Sequence, residues 1–198
     1  MPGLLIAFEG LDQSGKATQA QELRERLRAQ GRKVRLVSFP DYGTAIGEEI
    51  ARALQGERDY GPDVMQLLFI ANRYERKQSL EQWIDAGLIL ICDRYRASSI
   101  AYGEAHGLSG EWLREVQKFL PLPGLTILLD ISPATALQRK ALGRDRYERD
   151  LTLLERVRDS YRRQAATEPG WEVVDGEQPK AAVTDTVTRI VDEGLLRR

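Results

Sequence analysis

The chain has 198 residues, 42% of them hydrophobic and 30% charged, which suits one well-buried globular domain spanning 1–198. A formal net charge of -1 gives no overall attraction to nucleic acid or an anionic membrane, and a single cysteine, Cys92, rules out an intrachain disulfide. No apolar stretch approaches a membrane span, and the opening MPGLLIAFEG lacks a basic n-region and a small-residue cleavage site, so the expectation is a cytoplasmic chain without a leader. In chain order, residues 4–8 form a candidate buried strand, and 16–30 place Ala20, Leu23 and Leu27 at helical spacing before Gly31. KVRLVSF is a second strand closed by Pro40, and 45–54 a short helix. Residues 61–87 read as one long helix, with Asp63 as N-cap after Pro62 and Gly87 just past the end. LILIC and LTILLDI are two more buried strands, with EWLREVQKFL as a helix between them. A short helix follows Pro133, then a basic loop, a helix over about 151–167, the strand WEVV and a helix over 180–193. Apolar strands alternating with helices predict an α/β fold: a parallel sheet of about five strands covered on both faces.

The loop between the first strand and the first helix carries the chemistry. It runs Gly10, Leu11, Asp12, Gln13, Ser14, Gly15, Lys16, Ala17, Thr18. Gly10, Gly15 and Lys16 fit the phosphate-loop pattern G-x-x-x-x-G-K-[ST], in the strand-to-helix context that it needs. A glycine turn there exposes backbone N–H groups at a helix N-terminus, and the lysine adds a positive charge for the β and γ phosphates of a nucleotide. The last position lacks its hydroxyl. Thr18 lies one residue on, rotated by about 100° around the helix, so it is no simple substitute for a magnesium ligand. Mg²⁺ leans on one or two carboxylates, waters and substrate phosphates. Asp93, at the end of LILIC, or Asp12, inside the loop, can take that part. A GTPase switch is disfavoured, because the only asparagine, Asn72, is followed by Arg73 and not by a lysine as in N-K-x-D.

Five segments, in order, resemble the thymidylate kinase family: FEGLDQSGKATQ (8–19), FPDYGTAIG (39–47), LLFIANRYE (67–75), DRYRASSIAY (93–102) and GRDRYERD (143–150). The resemblance implies a three-layer P-loop kinase fold, ATP and Mg²⁺ as phosphoryl donor, dTMP as acceptor, and a homodimer. Phe69 and Arg73 lie four apart on one helix, so a ring can stack on a pyrimidine while a guanidinium reaches its carbonyl edge. A Phe within LLFIA also suits a core position; the family match favours the base. The resemblance further implies that Phe39 and Pro40 shape the acceptor pocket and that Arg94 grips the acceptor phosphate. It puts Ser98 and Ser99 near the base, Tyr102 near the sugar, and Asp12 against the acceptor sugar or phosphate. The segment from about 139 to 150 matches the family's lid, where Arg144 or Arg146 brings charge to the moving phosphoryl group. By the same resemblance the ATP base lies near Asp175 and Gly176.

Three positions depart from the family pattern. Ala17 bears on the metal, Gln13 replaces a glycine or arginine, and Tyr42 stands where many members have an arginine for the acceptor phosphate. Two other readings remain open on sequence alone: a related kinase for another nucleoside or monophosphate, and a nucleotide-binding protein with weak catalysis.

Overall fold

The computed structural model describes residues 3–139 and 151–196. Five strands, β1 (Leu4–Glu9), β2 (Val34–Ser38), β3 (Ile89–Asp93), β4 (Leu125–Asp130) and β5 (Trp171–Asp175), form one parallel sheet in the order β2-β3-β1-β4-β5. The helices are α1 (Lys16–Ala29), α2 (Ala45–Leu54), α3 (Pro62–Asp85), α4 (Arg96–Ala105), α5 (Gly110–Glu115), α6 (Pro133–Arg139), α7 (Leu151–Thr167) and α8 (Lys180–Leu196).

β1 is buried along its whole length, as a central strand with helices on both faces must be. Its alternate side chains serve two cores. Leu4, Ile6 and Phe8 pack with Ala20, Leu23 and Leu27 of α1 and Val187 and Val191 of α8. Leu5 and Ala7 pack on the other side with Leu80 of α3, Leu90, Cys92 and Tyr95. Burying one such Leu or Ile is worth about 1.5–3 kcal/mol, so the central strands contribute much of the stability of the fold. Cys92 lies in this core, and burial pushes its thiol pKa up, away from reactivity.

Two element ends differ from expectation. The N-cap of α3 is Gly61, not Asp63: Pro62 is the first helical residue, where its fixed φ and missing N–H cost nothing, so Asp63 falls in the first turn. The helix predicted over EWLREVQKFL ends at Glu115, because the amides of Gln117, Lys118 and Leu120 bond three residues back and tighten the chain into turns.

The register decides where function can sit. Phe8 and Ser38 both pair with Asp93, so β1, β3 and β2 end abreast. The loops that leave these ends therefore emerge side by side at the carboxyl edge of the sheet, the usual ligand edge of such folds.

Candidate active site

The phosphate loop starts from the end of β1. Gly10 has φ 136, and a Cβ there would lie 2.5 Å from the Leu129 carbonyl, so only glycine lets the loop turn beside β4. Gly15, at φ 96, caps α1, and Gln13 takes the left-handed region at φ 63. Lys16 is buried, and its Nζ donates to the Leu11 carbonyl at 2.7 Å. Burial, aided by the nearby Arg94 charge, brings its pKa down to about 8. A groove runs over this loop, lined by residues 12–19, Asp93, Arg94, Arg139, Gly176, Gln178 and Lys180. Asp175 stands beside it, accepting from the Glu177 amide and the Gln178 side chain.

A second pocket adjoins it. Phe39, Pro40, Phe69, Arg73, Arg94, Ser98, Ser99, Tyr102 and Asp12, the predicted acceptor residues, all line this one cavity with Tyr42, Leu54 and Gln66. Arg73 is buried; its Nη1 donates to Ser99 Oγ at 2.8 Å and to the Phe69 carbonyl at 3.2 Å, while its Nε has no partner among the described residues. Burial draws the Arg73 pKa down to about 10, against the pull of the Glu9 charge. Arg94 follows β3 at φ 63, a backbone region that a residue with a Cβ rarely adopts. It pairs with Asp12, which also accepts from the Tyr102 hydroxyl at 3.2 Å. Burial alone would raise the Asp12 carboxyl, but the Arg94 and Lys16 charges outweigh it and hold it well below the usual carboxylate range.

Among the described residues no group of three His, Cys, Asp or Glu could hold a metal by itself. Asp93 lines the phosphate groove beside Ser14, Lys16 and Ala17, whereas Asp12 is committed to Arg94 and Tyr102. The donors thus fit a cation that arrives on phosphates and leans on one carboxylate, with Asp93 the freer of the two. Arg144 and Arg146 lie outside the described residues. Arg139, at the end of α6, spans the groove: it donates to the Gln13 carbonyl at 3.2 Å and the Gly176 carbonyl at 2.9 Å.

Sequence reasoning missed several members of this site. Glu9 is fully buried and accepts from the amides of Tyr95 and Ser98 and from the Ser98 hydroxyl. Tyr161 joins the same cluster from α7; the spacing Leu154, Val157, Tyr161 marks its buried face. Gln66 stands three residues before Phe69 and seven before Arg73, on the same face of α3. Asn72 ties down the chain that follows Phe39 and Pro40, accepting from the Asp41 amide at 2.7 Å and donating to Thr44 Oγ1 at 2.8 Å.

A phosphate loop on a five-stranded parallel sheet, with a buried lysine and a second, arginine-lined pocket alongside, defines a P-loop phosphotransferase. The family model for thymidylate kinase matches residues 8–187, and the chain belongs to that family. It is similar to the thymidylate kinase of Schizosaccharomyces pombe, 38% identical over 96% of this chain and 90% of that one. The human thymidylate kinase is 33% identical over 98% of this chain and 92% of the other. In three dimensions it is similar to the thymidylate kinase of Candida albicans, with a TM-score of 0.83 and 30% identity over 97% of this chain and 92% of that one. The chain is accordingly a phosphotransferase that acts on dTMP and yields dTDP. Among the described residues no helix is long and apolar enough to cross a membrane.

Proposed function

We propose that the chain works in the cytoplasm as a one-domain homodimeric kinase, using ATP with Mg²⁺ and carrying its lid at about 139–150. The dimer, the compartment and the lid follow from the family resemblance. The observation that carries the residue assignments is that both cavities share Asp12, Phe39, Pro40, Tyr42 and Arg94, so two bound nucleotides would meet at Arg94. ATP lies over residues 10–18, with its base toward Asp175 and Gly176. dTMP lies with its base on Phe69 and its edge at Arg73, and with its phosphate at Arg94. Tyr102 faces the sugar.

The acceptor phosphate is already an anion at neutral pH, so no side chain needs to remove a proton. Catalysis is alignment and charge neutralisation. Lys16 holds the β and γ phosphates, Arg94 brings the attacking phosphate into line, and Arg144 or Arg146 offsets charge on the moving group. Asp93, or second to it Asp12, would hold Mg²⁺ arriving with ATP, and the ion would supply further positive charge to the phosphate oxygens. Tyr42 is no substitute for an arginine, so the grip on the acceptor phosphate rests on Arg94. Steady-state ADP release with dTMP, dUMP, dCMP and thymidine tests the reading. Fastest turnover at low dTMP is expected; preference for thymidine would move the chain to nucleoside kinases, and ATP binding without turnover would make it a non-catalytic binder.

A further inference from the structure

The Arg94 guanidinium has one nitrogen on Asp12 and another in a closed set of oxygens. Its Nη2 pairs with Asp12. Its Nη1 donates to the Gly10 carbonyl at 3.3 Å, Ser98 Oγ at 3.1 Å and Tyr161 Oη at 3.3 Å. Both hydroxyls also reach Oε2 of Glu9, Ser98 at 2.6 Å and Tyr161 at 3.3 Å, and they lie 2.9 Å from each other. A hydroxyl has one proton and two lone pairs. The only assignment that satisfies every member turns both protons toward the Glu9–hydroxyl cluster and the lone pairs toward the guanidinium. Burial, reinforced by the Glu9 charge, raises the Tyr161 phenol pKa, so the hydroxyl keeps its proton. Tyr161 is 1% exposed, and its helix begins at Leu151, directly after the 140–150 segment.

We infer that Tyr161 is a positioning residue for the reaction: its hydroxyl, with that of Ser98, ties one nitrogen of Arg94 to buried Glu9, so the other can exchange Asp12 for the acceptor phosphate while the side chain stays in place. The inference rests on reading Arg94 as the acceptor-phosphate arginine. The bond is made only through the hydroxyl, which gives a clean test. Tyr161→Phe keeps the ring that packs with Leu154 and Val157.

The experiment measures KM for dTMP and for ATP in the wild type, Tyr161→Phe, Arg94→Lys and the double variant, with a thermal melt of each. Tyr161→Phe should raise KM for dTMP about three- to tenfold and leave KM for ATP unchanged. In the Arg94→Lys background the same change should have little further effect, because the group that it positions is gone. A merely structural tyrosine would lower the melting temperature without splitting the two KM values. Unchanged KM for dTMP in Tyr161→Phe, or full additivity in the double variant, overturns the inference alone. An Arg94→Lys enzyme with wild-type KM and turnover for dTMP overturns the acceptor reading, and the inference with it.

Discussion

Arg73 donates to Ser99 across 2.8 Å, from α3 to α4, while its Nε lies buried with no partner among the described residues. One nitrogen is thus anchored and another is left for a ligand. A buried donor without an acceptor is costly, and on the proposed reading a pyrimidine carbonyl arriving over Phe69 would relieve that cost. Arg73→Ala should raise KM for dTMP roughly 10- to 100-fold with a much smaller change in kcat. Initial-rate kinetics check this, and an unchanged KM would move the base elsewhere.

Gln66 is 2% exposed and lines the same pocket as Phe69 and Arg73, so its carboxamide has given up most of its water for a place facing a ligand. The same physics gives an opposite pair of effects. Gln66→Leu should leave the melting temperature of the empty protein unchanged or higher, and raise KM for dTMP about threefold or more. A fall in melting temperature with unchanged KM would make Gln66 a packing residue.

Lys16 is held by burial near a pKa of about 8. It is charged below that pH and progressively neutral above it. A bound triphosphate favours the charged form, so ATP binding at pH 8.5 should take up roughly half to three-quarters of a proton. Calorimetry in two buffers of different ionisation enthalpy measures this, and Lys16→Met should abolish it. The same variant should lose about 100- to 1000-fold in kcat. For stability the sign is opposite to that of a favourable ion pair. The folded pKa lies below the unfolded value of about 10.4, so the charged amine opposes folding below pH 8, and this penalty is relieved as pH rises between the two values.

Ala17 leaves the phosphate groove without the hydroxyl that follows the lysine in the loop pattern. Ala17→Ser should lower, by about threefold or more, the Mg²⁺ concentration that half-saturates binding of a fluorescent ATP analogue. An unchanged midpoint would show that water already fills that position as well as a serine does.

Gly47 is set by close approach. A Cβ there would lie 1.9 Å from the Asp41 carbonyl, which is backbone and cannot rotate away. Gly47→Ala should cost about 1–3 kcal/mol in urea unfolding and raise KM for dTMP, because the 39–42 turn that it displaces is one wall of the proposed acceptor pocket.

The strands and α3 were legible because burial writes itself into sequence: β1, β3 and β4 are near-continuous apolar runs, and Pro62 and Gly87 bracket the long helix. The phosphate loop was legible because its signature, two glycines and a lysine at fixed spacing between a strand and a helix, is local. Glu9, Gln66 and Tyr161 were not, since their roles depend on register and on helices distant in the chain. Glu9 meets Tyr161 across 152 residues, and nothing local to either announces the other. Arg139 reads as one more charge in a basic stretch until the fold brings Gln13 and Gly176 to either side of it.

The Asp12–Arg94 pair has a consequence for life in a cell crowded with small anions. Inorganic phosphate or sulfate that drifts into the cleft finds the arginine already satisfied by an internal rival. On the acceptor reading proposed above, an anion tethered to a base and sugar, with further grips at Phe69 and Arg73, would have the added hold needed to unseat the carboxylate. The empty enzyme would thereby be proofed against trivial occupants, its arginine released by the whole nucleotide acting together.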